Sequence, residues 1–190
     1  MTGVPAVFLD RDGVIVVPEF RDGRSYAPVN IEGFALYPQI APSLQALKAE
    51  GFRIVVVTNQ PDVGKGLISP TVLAEMHRLM CEALPIDEVK VCTHTRDDAC
   101  DCRKPRAGML FAAAHENGLS LLDSYMVGDR DSDIEAGKEA GCRTVFIDLS
   151  YTSEPKPLDP DWVVSSLQEA ANVILADKQK RNARCPPSTP

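Results

Sequence analysis

Blocks of apolar residues alternate with amphipathic stretches along this chain, and the alternation predicts strands and helices in turn. Short apolar runs, several rich in β-branched residues, predict buried strands at 4–9, 53–59, 89–92, 124–128 and 143–148. Apolar residues at helical spacing, with capping residues at the ends, predict helices at about 41–50, 70–83, 105–118 and 132–140. Strands that alternate with helices need crossover connections. The predicted fold is therefore α/β, a three-layer, Rossmann-like parallel sheet with helices on both faces.

The end of the chain differs in composition from the rest. From about Asp177 the residues are mostly polar, and the last six are CPPSTP. Such a segment has too few apolar side chains to bury, so residues 177–190 are predicted to form a disordered tail. Residues 1–176 are predicted to form a single domain.

Composition is typical of a soluble globular protein. Hydrophobic residues make up 44% of the 190 positions and charged residues 25%. No apolar run approaches the ~18 residues of a membrane span, and the first residues lack the pattern of a signal peptide. We therefore expect a cytoplasmic protein with reduced cysteines and no membrane partner. The net charge of −7 argues against a nucleic-acid partner, but a local basic cluster could still bind a small anion.

Polar clusters follow four of the predicted strands, at the edge where a parallel sheet binds its ligands. They lie at 10–13, 58–60, 94–104 and 128–133. An Asp-x-Asp-Gly sequence such as that from Asp10 to Gly13 is also common in solvated turns, and that alternative applies to the segment taken alone. Two acidic clusters at one edge favour a hard cation such as Mg²⁺, which prefers carboxylate, water and phosphate oxygens.

The stretch from 92 to 105, CTHTRDDACDCRKP, concentrates soft metal ligands. Cys92 and His94 are two apart, as are Cys100 and Cys102, and such residues point to the same side of an extended chain. Together they could supply four ligands to a tetrahedral Zn²⁺ ion with no open position, which is typical of a structural site. The alternative is a set of reduced free thiols, since a Cys100–Cys102 disulfide would close a strained ring.

Four of these segments resemble the four motifs of the haloacid dehalogenase superfamily of aspartate-dependent phosphatases. They are DRDGV, VVVTNQ, CRKP and MVGDRDSD, in that order at predicted strand ends, within about residues 5–148. The resemblance implies a Mg²⁺-dependent phosphomonoester hydrolase that acts through an aspartyl-phosphate intermediate. A different class of function, a catalytically silent, zinc-stabilised binding protein, is disfavoured because every residue of the catalytic motifs is present.

The resemblance implies a role for each matching residue. Asp10 would be the nucleophile, and Asp12 would act as general acid and then as general base. Thr58 would hydrogen-bond the phosphoryl oxygens, and Lys104 would bring a positive charge to the nucleophile and the phosphate.

The same resemblance implies the ligands of the catalytic metal. Mg²⁺ would be bound by Asp10, by the backbone carbonyl of Asp12 and by Asp129. Asp133 would orient Lys104 or a metal-bound water.

The zinc-ligand pattern followed by Arg-Lys-Pro resembles one branch of that superfamily, which contains heptose bisphosphate phosphatases and histidinol-phosphate phosphatases. The segments RAGML and SYMVGDRDSD are more similar to the heptose group, which implies removal of the 7-phosphate of D-glycero-D-manno-heptose 1,7-bisphosphate. Histidinol phosphate is the alternative substrate. The family usually has a Gly-Tyr pair soon after its first motif, where this chain has Ser25-Tyr26 and a few extra residues.

The intervals between motifs leave no room for a cap domain, so loops are expected to determine the substrate. The candidate loops are 16–30, 61–67 and the zinc loop. We expect the partner to be a small phosphorylated metabolite that contacts Asn59 and Gln60. A bisphosphate needs a second anion site, for which Arg103 is the first candidate because its fork of donors suits phosphate. Weaker candidates are Arg21, Arg24 and Lys65.

Overall fold

The structure, a computed structural model, describes residues 3–184. Its strands are β1 (Ala6–Leu9), β2 (Glu19–Arg21), β3 (Arg24–Tyr26), β4 (Arg53–Asn59), β5 (Glu88–Cys92), β6 (Tyr125–Gly128), β7 (Arg143–Ile147) and β8 (Trp162–Val164). Its helices are α1 (Ile40–Ala49), α2 (Pro61–Gly64), α3 (Pro70–Ala83), α4 (Gly108–Asn117), α5 (Asp131–Glu139) and α6 (Leu167–Arg184). Single turns of 3₁₀ helix cover Arg96–Asp98 and Leu121–Asp123.

Six strands form one parallel sheet in the order β5-β4-β1-β6-β7-β8. Side chains alternate across it, so Val7 and Leu9 of β1 pack under α1 and α6, whereas Ala6 and Phe8 pack under α4 and α5. The predicted three-layer α/β architecture is confirmed. The five predicted strands agree with β1, β4, β5, β6 and β7 to within two residues.

The chain order of the strands places a crevice next to β1. From β1 the chain moves outward to β4 and β5, then returns through α4 to β6 on the other side of β1. Parallel sheets bind ligands beyond the carboxyl ends of strands at such a reversal. Asp10 directly follows β1 and Asp129 directly follows β6, so both aspartates lie at the mouth of this crevice.

A short hairpin lies in the segment that was predicted only as a specificity loop. Strands β2 and β3 pair antiparallel, and Asp22 and Gly23 form the two-residue turn between them with φ of 51° and 74°. Asp-Gly is the sequence that favours such a turn, because both positions need positive φ. The strands are only three residues long and mostly exposed, so the hydrophobic pattern does not reveal them.

The helix predicted from Pro105 starts three residues later, at Gly108. The preceding residues form a turn in which Gly108 N donates to Asp101 O over 3.1 Å. A Cβ at Gly108 would lie 2.3 Å from the same carbonyl oxygen, so this close approach requires glycine. Gly118 ends the helix in the left-handed conformation, as predicted.

The predicted start of a disordered tail at residue 177 is wrong. Helix α6 continues to Arg184, and Tyr125 Oη donates to Asp177 Oδ2 over 2.6 Å. Residues 185–190 lie outside the described part of the chain. Within 3–184, none of the helices combines the length and the apolar character needed to cross a bilayer.

Candidate active site

A cleft of about 980 Å³ opens at the carboxyl edge of the sheet. Its walls come from the β2–β3 hairpin, from α2, from the loop between β5 and α4, and from the start of α5. Asp10, Asp12, Asn59, Lys104 and Asp133 all line it. Residues separated by more than a hundred positions in sequence therefore meet at one edge of the sheet.

The turn after β1 brings its aspartates against the end of β6. Asp10 N donates to Val127 O over 2.9 Å, and Gly13 then turns the chain with φ +91°. A Cβ at Gly13 would lie 2.1 Å from Asp129 Oδ2. Glycine is therefore required both for the backbone conformation and for the contact with this carboxylate.

Asp12 is oriented by two side chains. Arg11 Nη2 lies 3.0 Å from Asp12 Oδ1, and Gln60 Nε2 donates to Asp12 Oδ2 over 2.7 Å. Burial raises the pKa of Asp12, and the Asp10 carboxylate raises it further, while Arg11 opposes both. A raised pKa suits a carboxyl group that must carry a proton before donating it.

Arg11 is completely buried, which is rare for arginine. Besides its contacts to Asp12, its Nη1 lies 3.2 Å from Nε2 of His77 on α3. Burial, together with the positive charge of Arg11, lowers the pKa of His77 to about 4. The imidazole is therefore neutral at pH 7, and its Nε2 can accept the hydrogen bond from Arg11.

The residues at the end of β4 occupy different environments. Thr58 and Gln60 are 1% exposed and do not line the cleft, and Gln60 Nε2 donates to Thr58 Oγ1 over 2.8 Å. Asn59 lines the cleft and makes two hydrogen bonds to the backbone of Lys104, of 3.0 and 3.1 Å. Gln60 was predicted to contact substrate, but in the structure it contacts Asp12 instead.

Lys104 is 3% exposed, and its ammonium group lies among oxygen atoms. Nζ is 2.8 Å from Asp10 Oδ1, 2.6 Å from Asp133 Oδ1 and 2.7 Å from Val57 O. Burial alone would lower the pKa of Lys104, but the carboxylates of Asp10 and Asp133 raise it overall. The lysine is therefore a fixed positive charge beside Asp10.

Three buried carboxylates form a cluster that fits a hard cation. Asp10, Asp129 and Asp133 each offer an oxygen atom, and these atoms lie within 4.8 Å of one another. Burial, together with the carboxylates of Asp10 and Asp133, raises the pKa of Asp129 well above its usual value. Asp129 Oδ1 is buried and has no hydrogen-bond partner among the described residues. A Mg²⁺ ion would give this oxygen a partner and offset the like-charge repulsion.

The predicted zinc ligands also converge. The ligand atoms of Cys92, His94, Cys100 and Cys102 all lie within 4.8 Å of one another. The Sγ atom of Cys92 lies 3.7 Å from that of Cys100 and 3.1 Å from that of Cys102, and His94 Nδ1 lies 3.2 Å from Cys102 Sγ. Sulfurs bound at about 2.3 Å to one tetrahedral ion are separated by roughly 3.8 Å, so the cluster has nearly the required size.

Arg103 lies on the wall of the cleft between the zinc cluster and Lys104. Its Nη1 donates to His94 O over 3.1 Å, which leaves the other guanidinium donors available to a ligand. Arg24 and Lys65, the weaker candidates for an anion site, also line the cleft, whereas Arg21 packs over the ring of Tyr26 at 4.5 Å. The cleft thus contains cations on several of its walls.

Sequence reasoning missed several residues that support the site. Arg11 lies between the two aspartates of the first motif, a position that gives no signal of burial, and His77 lies within an ordinary amphipathic helix. Tyr151, whose hydroxyl donates to Asp129 Oδ2, comes from a segment without a motif. Arg130 Nη2 donates to Ser25 O over 2.8 Å and so connects α5 with the hairpin. Apart from the contact between Arg11 and Asp12, the partners of these residues are distant in sequence.

Comparison with protein-family models gives one match. The model described as HAD-hydrolase-like matches residues 101–170, which include Lys104, Asp129 and Asp133.

Curated proteins match over longer stretches. D-glycero-beta-D-manno-heptose-1,7-bisphosphate 7-phosphatase of Yersinia pestis is 31% identical over 189 residues, covering 91% of this chain and 96% of the relative. The histidine biosynthesis bifunctional protein HisB of Blochmanniella floridana is 31% identical over 144 residues, covering 73% of this chain but only 40% of HisB.

A solved structure resembles this one closely. The D,D-heptose 1,7-bisphosphate phosphatase of B. bronchiseptica, crystallised with magnesium and phosphate, aligns with a TM-score of 0.75 and 26% sequence identity. The alignment covers 91% of this chain and 99% of that protein.

Proposed function

This chain belongs to the haloacid-dehalogenase-like phosphatase family of the D-glycero-β-D-manno-heptose-1,7-bisphosphate 7-phosphatases, and we propose that its own reaction is removal of the 7-phosphate from D-glycero-D-manno-heptose 1,7-bisphosphate. One observation carries this proposal. Asp10, Asp12, Lys104 and Asp129 converge at the carboxyl edge of the sheet, where the cleft is large enough for a sugar bisphosphate.

The proposed reaction begins at Asp10. One of its carboxylate oxygens attacks phosphorus and forms an aspartyl-phosphate, while the bond from phosphorus to the sugar oxygen breaks. Lys104 Nζ, 2.8 Å from Asp10 Oδ1, offsets the repulsion between the carboxylate and the phosphate dianion. Because Asn59 fixes the backbone of Lys104 through two hydrogen bonds, this charge needs no rearrangement during the reaction.

Asp12 supplies the proton transfers of both half-reactions. It donates its proton to the departing sugar oxygen and then accepts a proton from the water that hydrolyses the aspartyl-phosphate. Arg11 and Gln60 contact Asp12 and fix its orientation toward the cleft. The raised pKa of Asp12 supports the first step, because the carboxyl group must be protonated when the leaving group departs.

The residues that would bind Mg²⁺ are Asp10, Asp129 and the backbone carbonyl of Asp12. Bound there, the ion would neutralise negative charge on the transferring phosphoryl group. Asp129 Oδ1, which has no hydrogen-bond partner within residues 3–184, supports this assignment. The relative from B. bronchiseptica, which was crystallised with magnesium and phosphate, supports the choice of metal. Asp133 orients Lys104, since its Oδ1 lies 2.6 Å from Nζ.

Zn²⁺ is proposed as the second metal, bound by Cys92, His94, Cys100 and Cys102. These ligands leave no open coordination position, so the ion acts on the structure of the loop that precedes Lys104. Thiolate ligands must stay reduced, and for that reason we assign the protein to the cytoplasm.

The second phosphate of the substrate needs its own site, and Arg103 is the proposed donor. It lines the same wall of the cleft as Lys104 and keeps guanidinium donors available beyond its bond to His94 O. The alternative substrate, histidinol phosphate, is suggested by the similarity to HisB. A cationic substrate with one phosphate has no use for a second anion site, so the cations Arg24, Lys65 and Arg103 on the cleft walls favour the sugar bisphosphate.

The experiment that tests the proposal compares phosphate release from heptose 1,7-bisphosphate and from histidinol phosphate, with Mg²⁺ present. We expect kcat/KM for the heptose bisphosphate to be at least tenfold higher. The Arg103→Ala variant should raise KM for the bisphosphate by a larger factor than the factor by which it changes the turnover of a small monophosphate ester. A preference for histidinol phosphate would overturn the substrate assignment and leave the phosphatase chemistry intact.

The matched control for the chemistry is Asp10→Asn. This change keeps the size of the side chain and removes the nucleophile, so turnover should be abolished on every substrate while thermal unfolding shows a folded protein. Retained turnover would refute the assignment of Asp10. Poor turnover of both substrates by the native protein would favour the remaining alternative, a zinc-stabilised binding protein without catalytic activity.

A further inference from the structure

The β2–β3 hairpin contacts the rest of the molecule through Arg130, which donates to Ser25, and through the segment 151–154. Ser153 donates through its backbone N–H to Gly23 O over 3.2 Å and through Oγ to Asp22 O over 3.0 Å. A Cβ at Gly23 would lie 2.2 Å from Thr152 Oγ1, so the hairpin turn packs directly on this segment.

The same segment reaches the carboxylate cluster through Tyr151. One face of the Tyr151 ring packs against Phe20 of the hairpin, with ring centroids 5.2 Å apart. Its hydroxyl donates to Asp129 Oδ2. The neighbouring Ser150 has φ 60°, a conformation that is unfavourable for serine, so the surrounding contacts must maintain this turn.

The contact with Tyr151 leaves Asp129 with one oxygen engaged and one free. Oδ2 accepts from the tyrosine, whereas Oδ1 is buried and has no partner among the described residues. Mg²⁺ requires nearly ideal octahedral geometry and is usually bound by one oxygen of each carboxylate. A donor on the second oxygen is the usual way in which proteins fix the orientation of such a ligand.

From this geometry we propose that Tyr151 is a positioning residue that couples the hairpin to the magnesium site. It does not line the cleft, so it does not touch the substrate. It orients Asp129 for Mg²⁺ and, through Phe20, determines where the hairpin lies. Because Arg24, Ser25 and Tyr26 of the hairpin line the cleft, the substrate wall and the metal ligand are linked. This inference rests on the proposed function, since it needs Mg²⁺ at Asp129.

Because such a coupling is reciprocal, it can be measured both at the hairpin and at the magnesium site. If the hairpin and the metal site share Tyr151, Mg²⁺ binding must protect the hairpin amides from hydrogen exchange. Loosening the hairpin must in turn weaken Mg²⁺ binding by the same factor.

The test uses Tyr151→Phe, which keeps the ring against Phe20 and removes only the hydroxyl. Calorimetric titration with MgCl₂ should show a dissociation constant raised about 10- to 100-fold. The Mg²⁺ concentration for half-maximal activity should rise likewise, with kcat at saturating Mg²⁺ close to the native value. Mg²⁺-dependent protection of residues 19–26 should be lost. The Phe20→Ala variant should reduce that protection and weaken Mg²⁺ binding to a smaller extent.

The matched control is Tyr125→Phe, which removes a tyrosine–aspartate hydrogen bond, to Asp177, at the opposite edge of the sheet. It should leave Mg²⁺ affinity unchanged. If Tyr151→Phe bound Mg²⁺ as tightly as the native protein, or if Mg²⁺ left hairpin exchange unaltered, the coupling would be refuted. If the native protein bound no Mg²⁺, both the coupling and the proposed function would be refuted. This result differs from the results that refute only the coupling.

Discussion

Arg11 illustrates how single residues support the site without touching the substrate. A guanidinium group that is completely buried needs acceptors on all sides, because burial of a charge without partners costs several kcal/mol. Asp12 supplies a carboxyl oxygen at 3.0 Å, and neutral His77 supplies a lone pair at 3.2 Å. The proposed general acid, in the turn after β1, therefore depends through Arg11 on a histidine of α3.

The environment of His77 predicts how stability depends on pH. In the folded protein its pKa is about 4, below the usual 6.5, because burial and Arg11 disfavour the charged form. Between pH 6.5 and 4 the unfolded chain therefore binds a proton that the folded protein excludes. The free energy of unfolding should fall as the pH decreases through this window, with the contribution of His77 fully present only above about pH 6.5.

Two substitutions of His77 separate its effects. In His77→Gln the amide oxygen can still accept from Arg11 but does not titrate, so urea unfolding should show a smaller loss of stability between pH 6.5 and 4. His77→Leu leaves the Arg11 donor without an acceptor and should cost about 1–3 kcal/mol at pH 7.5. The exposed His115 offers a control, as His115→Gln should retain the native pH slope. Equal slopes for the native protein and His77→Gln would contradict this account.

At the scale of elements, the loop from β5 to α4 contains two kinds of constraint. The Cys/His cluster closes the first part of the loop, and Asn59 fixes the backbone of Lys104 at its end. The loop has few apolar residues of its own to bury, so metal binding would supply folding free energy that side-chain packing does not. The proposed structural metal would thereby act on the position of Lys104.

Replacement of one zinc ligand tests this relation. Cys100→Ser should reduce the zinc content well below about one ion per chain, lower the midpoint of thermal unfolding and lower kcat, because Lys104 loses part of its support. Elemental analysis, thermal unfolding and phosphate release measure the three effects. The exposed Cys81 provides the control, since Cys81→Ser should change none of them. Native kcat in a zinc-free Cys100→Ser protein would show that Lys104 keeps its position without the metal.

At the scale of the whole molecule, α6 joins regions far from the cleft. Ile174 and Ala170 are completely buried against the sheet face that α1 also covers. The last turns of α6 bring Asp177 to Tyr125 Oη and Arg181 to Asp123, at the amino ends of the strands. These contacts help to explain why α6 continues beyond residue 176, since Asp177, Lys178 and Arg181 each have a specific partner.

Truncation of α6 tests whether the domain extends beyond residue 176. A chain that ends at Ala176 lacks Asp177 and leaves the hydroxyl of Tyr125 without its acceptor, so its free energy of unfolding in urea should fall by about 1–3 kcal/mol. A chain that ends at Arg184 keeps these contacts and serves as the control. Both should retain native kcat at 25 °C because the lost contacts lie opposite the cleft. If the two chains were equally stable, the domain would end at residue 176, as the sequence predicted.

The alternation of apolar strands with amphipathic helices was sufficient to predict the α/β fold. A strand that is buried on both faces of a parallel sheet consists of consecutive apolar residues, which the sequence shows directly. The same local logic predicted acidic clusters at the strand ends and a four-ligand Cys/His pattern from residue type and spacing, whereas the roles of Asp10 and Asp129 were implied by the resemblance of their motifs to the haloacid dehalogenase superfamily. The short hairpin, β8 and α6 were missed, since they depend on partners elsewhere in the chain more than on their own pattern.

Only the tertiary structure decided which residues support those motifs. Arg11 is paired with His77, 66 positions away, and Asn59 with Lys104, 45 positions away. Tyr151 reaches Asp129 because β7 lies beside β6 and the chain turns back at Ser150. A sequence records what each residue can do chemically, whereas burial and pairing depend on distances that exist only once the sheet has formed.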